Sequence, residues 1–123
     1  FIGVGGYGET HLRGFLPHHH AGRIRICALA DASPSALAAA EKLADIPSAD
    51  AYSDYLELLD RGDLHAVVIS TPISSHRKIA LQAIQEGLFV LLEKPPVPLL
   101  SELRELITAD TRRRVMVAFQ HLV

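Results

Sequence analysis

The sequence predicts a doubly wound α/β fold built on a parallel sheet, and three observations carry that expectation. The chain opens on an apolar run, Phe1 to Val4, which meets Gly3, Gly5 and Gly8 in the spacing G-x-G-x-x-G before an amphipathic segment begins without a spacer. That order is strand, tight turn, helix. Apolar runs then alternate with helix-forming stretches along the whole chain, as expected of parallel strands joined by helical crossovers. One of them, LHAVVIS, is a continuous β-branched run of the kind buried on both faces of a parallel sheet.

The first helix is expected from Gly8 to about Pro17, with HHHAG as a polar loop behind it. Consecutive loop positions seldom converge on one ion, so His18, His19 and His20 read as solvated. The second strand covers Ile24 to Ala30 and ends at Asp31. PSALAAAEKLADI is a strong helix former whose Ala-rich face can lie close to a sheet, and it stops before Pro47. A short strand near Ala51 and Tyr52 precedes SDYLELLDRG, with Ser53 or Asp54 as N-cap and Gly62 beyond the helix end. After LHAVVIS the chain turns at Pro72 and starts a helix, capped by Ser74 or Ser75, that ends at Gly87. LFVLLEKPP is a strand ending in Glu93, Lys94 and two prolines; PLLSELRELITAD is another helix and RVMVAFQHLV a last strand. Six strands and five helices fit the order 3-2-1-4-5-6, with ligand in the crevice where the first and fourth strands meet.

The glycines define the first candidate site. Gly3 permits the turn, Gly5 lets a pyrophosphate approach the backbone, and Gly8 lets the helix pack close to its strand. A helix N-terminus then faces the phosphates with unpaired N–H groups and the positive end of its dipole. A dinucleotide site also wants an acid about 20 residues on, and Asp31 stands there. Its carboxylate can accept both ribose hydroxyls of adenosine, whereas a 2′-phosphate brings like charges together, which favours NAD over NADP. The competing reading makes Asp31 a cap for the next helix, with Ser33 and Pro34 as rival start signals. The second candidate site is Glu93 and Lys94, charged residues at the carboxyl edge of the sheet, where open α/β folds bind ligands.

Composition limits the alternatives. With 123 residues, 49% of them hydrophobic, the chain makes one domain with a real core and leaves no room for a second. The net charge of −2, with basic residues scattered except for Arg112 to Arg114, offers no nucleic-acid stripe, and those three arginines read as a solvated turn. Cys27 stands alone inside an apolar strand pattern, so a buried thiol and a reducing cytoplasm are expected. No apolar stretch is long enough to span a membrane, and the start inside a strand without Met points to a trimmed chain.

GVGGYG, then ADAS, then TPISSH at a helix start, then EGLFVLLEKPP together resemble the nucleotide-binding half of the Gfo/Idh/MocA oxidoreductases, the family of glucose-fructose oxidoreductase and inositol dehydrogenase. The EKP element is the more specific part, and the resemblance covers essentially the whole chain. It implies an NAD(P)-binding Rossmann domain over residues 1–123 and a second, sheet-rich domain, outside this chain, that binds a sugar, cyclitol or related polyol and forms a homo-oligomer interface. Position by position, Gly3, Gly5, Gly6, Tyr7 and Gly8 would wrap the pyrophosphate and Asp31 would hold the ribose. Thr71, Pro72 and His76 would line the path to the nicotinamide. Glu93 and Lys94 would stand at the reacting end, with Pro95 making the sharp bond, open to the cis form, that aims them. Gln120 is counted with the cofactor contacts. Lys94 would polarise the substrate hydroxyl or carbonyl as charge builds on its oxygen, while a histidine of the other domain exchanges the proton. The chain by itself is thus expected to bind the dinucleotide weakly and to catalyse nothing. Two positions depart from the family pattern: Ile73 replaces an Asn common after Thr-Pro, and Leu122 an arginine. They keep open a second function class, a non-catalytic nucleotide sensor or scaffold of the same fold.

Overall fold

The computed structural model describes residues 1–119, which divide into two compact units, the first Phe1–Arg61 and the second beginning at Gly62. In the first, the opening segment leads into α1 (Tyr7–His20), followed by β1 (Leu29–Ala30), α2 (Pro34–Ala44), a 3-10 turn (Ser48–Asp50), β2 (Ala51–Tyr52) and α3 (Tyr55–Leu59). β1 pairs in parallel with β2, Leu29 opposite Ala51, and on its other side Ala30 forms a parallel bridge with Ile2. Within this unit β1 therefore lies between the opening segment and β2. Val4, Leu12, Ile26, Leu29, Ala40, Ala44 and Ile46 form one buried cluster, in which the alanines of α2 permit close approach.

Several boundaries differ from the sequence expectation. The opening segment makes only the single bridge at Ile2, and the strand expected over Ile24–Ala30 is confined to Leu29–Ala30. The amide of Ile26 donates to Nδ1 of His19 at 3.3 Å instead of to a neighbouring strand, which explains the shortening. Helix α1 continues through Pro17 to His20, so the three histidines form its last turn and not a loop. Side chains of this type favour the negative end of a helix dipole. Cys27 is half-buried, where a buried thiol was expected.

The second unit holds β3 (Ala66–Ile69), α4 (Ile73–Gln85), β4 (Phe89–Glu93), α5 (Leu100–Ala109) and β5 (Val115–Ala118), with β4 at the centre of a parallel three-stranded sheet. Val67 lies opposite Val90, Ile69 opposite Leu92, and Leu92 opposite Val117. The sheet buries Val67, Ile69, Val90 and Leu92, and Ile79, Ala80 and Ala83 of α4 and Leu106 of α5 are buried with it. Leu92 is fully buried on the central strand, so Leu92→Ala is expected to cost about 2–5 kcal/mol in a urea melt; a loss below ~1 kcal/mol would mean that the core collapses around the gap.

Helix α4 begins at Ile73 with Pro72 at its N-cap position, not with a serine cap. Ser75 instead sends its hydroxyl back to Pro72 O at 2.7 Å and lies 2.9 Å from Thr71 Oγ1. Arg114 is not part of a solvated turn: it donates to Gly87 O, and its guanidinium stands 4.9 Å from the centroid of the Phe89 ring. Arg77 of α4 holds Glu105 of α5 through contacts of 2.6 and 2.7 Å, and this hydrogen-bonded pairing keeps the Glu105 carboxyl below its usual range. A lowered carboxylate contributes above its unfolded pKa, and that contribution fades as pH falls through the folded value. Both partners are exposed, so salt screens the pair.

Candidate functional site

In the first unit the site is built on the turn between the opening segment and α1. Gly3 (φ +80°) and Gly6 (φ +52°) adopt backbone conformations that side chains resist. Gly6 occupies the N-cap position of α1 and supplies no side-chain oxygen, so no side chain caps the helix end that would face an anion. Gly8 is buried, its amide donating to Gly5 O at 2.9 Å, and Tyr7 is exposed at the first position of the helix. A Cβ on Gly5 would meet Ala36 of α2 at 3.5 Å, an ordinary contact. The turn's positive backbone angles therefore fall on Gly3 and Gly6, and Gly6 lies outside the G-x-G-x-x-G triplet.

Asp31 is half-buried at the end of β1 and does something no sequence spacing announced. Its Oδ2 accepts from the amides of Val4 at 2.8 Å and Gly5 at 3.3 Å, and its Oδ1 from the amide of Ser33 at 2.8 Å. The carboxylate ties the strand end to the glycine turn. The helix cap belongs to Ser33, whose Oγ accepts from Ala36 N at 3.4 Å with Pro34 at the first helical position. A carboxylate has about four acceptor sites, and three are used here, so Oδ1 retains capacity for a hydroxyl. The signal was an acid at a strand tip beside a glycine turn.

In the second unit, the segments following β3 and β4 bring the other expected residues together at the carboxyl ends of adjacent strands. His76, 1% exposed in the first turn of α4, places Nε2 2.7 Å from Thr71 O and Nδ1 3.1 and 3.2 Å from Pro95 O and Pro96 O. Glu93 closes β4 and is 6% exposed; Lys94 is half-buried and joined to Pro95 by a cis peptide bond. Ser70 adds a buried hydroxyl with no hydrogen-bond partner among the described residues, a polar group that the motif reading missed. Ile73 is the first residue of α4, whereas Gln120 and Leu122 lie outside the described residues. Among those residues no group of three or more His, Cys, Asp or Glu side chains is placed to hold a metal, and no helix is long and apolar enough to cross a membrane.

The family model described as "Oxidoreductase family, NAD-binding Rossmann fold" matches residues 1–121. The chain belongs to this Gfo/Idh/MocA family. The inositol 2-dehydrogenase of Pseudarthrobacter chlorophenolicus is 32% identical over 121 residues, covering 96% of this chain and 35% of that protein. Glycosyl hydrolase family 109 protein 2 of Shewanella sp. (strain ANA-3) is 36% identical over 124 residues, covering 92% of this chain and 26% of the other. Among solved structures, the WlbA dehydrogenase of Bordetella pertussis in complex with NADH and UDP-GlcNAcA superposes with a TM-score of 0.81 at 26% identity, covering 95% of this chain and 35% of that one. The chain thus spans about a third of the length of the curated dehydrogenases it matches. The Gfo/Idh/MocA chain fits a dinucleotide at two points of its own geometry: an α1 with no side-chain cap behind Gly6, and a strand-end carboxylate with acceptor capacity to spare.

Proposed function

We propose that this chain is the nucleotide-binding half of an oxidoreductase that moves a hydride between nicotinamide and a hydroxyl-bearing carbon of a sugar, cyclitol or related polyol. In this reading Gly3, Gly5, Gly6, Tyr7 and Gly8 surround the pyrophosphate, Asp31 receives the adenosine ribose, Thr71, Pro72 and Glu93 belong to the nicotinamide side, and Gln120 is a further contact. Bound NAD supplies the hydride acceptor. Lys94 orients the substrate oxygen and lowers the cost of negative charge on it. The observation that carries the reading is Lys94 itself, an ammonium directly after the buried Glu93 at the carboxyl end of the central strand. One relative is named for dehydrogenation of inositol and the other as a glycosyl hydrolase. The second name favours one further reading, cleavage of a glycosidic bond, and assays of the full-length protein for polyol oxidation and glycoside release separate the two.

NAD is expected to bind in preference to NADP, since Asp31 ends β1 and no arginine follows it within several residues. Two like unit charges ~4 Å apart at an effective dielectric of about 20 repel by ~4 kcal/mol before salt screening, and a quarter of that is several-fold in affinity. Titration calorimetry with both nucleotides decides it. Equal or tighter NADP binding removes Asp31 from the ribose site.

A further inference from the structure

His76 has a task that its place in a cofactor-lining motif does not describe. The ring is buried and its nitrogens face backbone: Thr71 O on one side, Pro95 O and Pro96 O on the other. Carbonyl oxygens only accept, so a hydrogen bond on either side needs a ring N–H: a neutral ring supplies one and packs its other nitrogen against the opposite carbonyl, and the imidazolium supplies both. None of these partners is a side chain. What the ring joins is the segment leaving β3 and the segment leaving β4, and the second of these begins with Lys94. Between these carbonyls His76 has no free nitrogen to offer a ligand.

We infer that His76 is a positioning residue, a clamp that holds the Thr71–Pro72 and Pro95–Pro96 turns together and thereby sets the nicotinamide end of the site. It acts through the main chain and touches neither cofactor nor substrate. The supporting contacts point the same way: Ser75, one residue before it, bonds Thr71 Oγ1 and Pro72 O, so the first turn of α4 is fastened to the same segment. Lys94 then owes its place to a histidine 18 residues earlier in the chain as much as to β4. The inference rests on the dinucleotide reading for its functional meaning, and its structural content stands apart from that reading.

The test compares NAD with ADP-ribose, which keeps adenosine, pyrophosphate and ribose and lacks the nicotinamide. Calorimetry on the chain is expected to show NAD favoured over ADP-ribose by several-fold, and His76→Ala to abolish most of that preference while ADP-ribose affinity stays within about threefold, because ADP-ribose has no nicotinamide for the clamped turns to meet. His76→Asn and His76→Gln each restore a donor on one side only, and each is expected to recover part of the preference. Equal loss for both ligands would mark a merely structural histidine, and full rescue by either amide would show that only one side is used; both overturn the clamp. Amide exchange in the ligand-free chain gives an independent readout. His76→Ala should speed exchange at Ser75 and Val97 and leave Val90 to Leu92 of β4 protected, whereas acceleration throughout β4, or none anywhere, rejects the proposal. Should the unaltered chain bind neither nucleotide, the dinucleotide reading falls and the exchange pattern still decides the clamp.

Discussion

Lys94→Ala in the full-length protein is expected to lower kcat by about 10²- to 10³-fold and to leave NAD affinity within a few-fold. The size follows from removing one fixed charge at a developing oxyanion. The split between the two constants follows from position: Lys94 stands at the end of β4 in the second unit, whereas the glycine turn and Asp31 belong to the first. The hydrogen bonds that Asp31 accepts come from the main-chain amides of Val4 and Gly5. Steady-state kinetics beside calorimetry on the same variant reads both quantities. A kcat that barely moves would make Lys94 structural and return weight to a nucleotide sensor that does no chemistry.

Asp31→Ala should weaken NAD binding by about ten- to a hundred-fold, the equivalent of ~1.5–3 kcal/mol for hydrogen bonds to a charged group. Two losses combine. The ribose loses its acceptor, and the amides of Val4 and Gly5 lose the carboxylate that fixes the turn meant for the pyrophosphate. The preference for NAD over NADP should narrow at the same time, because the charge opposed to a 2′-phosphate is gone. Asp31→Asn separates the effects: one oxygen still accepts from the turn while the charge is removed, so discrimination should shrink more than NAD affinity. Unchanged NAD affinity in the alanine variant would show that the carboxylate serves the fold alone.

How much of this was legible depended on the distance over which each feature is fixed. Gly3 and Gly6 are required by their own φ angles, and a glycine in the chain announces that locally. The cap of α2 was open between Asp31 and Ser33 in the sequence; the structure gives it to Ser33 because both oxygens of Asp31 are drawn to amides of the turn and of Ser33 itself. His18 to His20 were misjudged because Pro17 reads as a stop, yet the helix runs through it, and the carbonyl that Pro17 keeps still accepts from the amide of Ala21 at 3.1 Å. Arg114 looked like part of a charged surface run. Its anchorage to Gly87 and Phe89 spans the distance from one strand to the next and has no local mark.

The sequence by itself determined the fold class, the alternation of strands and helices, the phosphate-type turn, and the candidate residues, Asp31 in the first unit and Thr71, His76, Glu93 and Lys94 in the second. Those features are written in period, in glycine and proline, and in charge placed after an apolar run, all read over a few neighbouring residues. Tertiary structure decided what those residues do to one another: that Asp31 reaches back 27 positions to Val4, that His76 reaches forward 19 and 20 to Pro95 and Pro96, and that Ile26 turns from its strand to His19. Hydrogen-bond partners so far apart are chosen by packing. A buried donor or carbonyl must be satisfied wherever the core leaves it, and the sequence records only that the group exists.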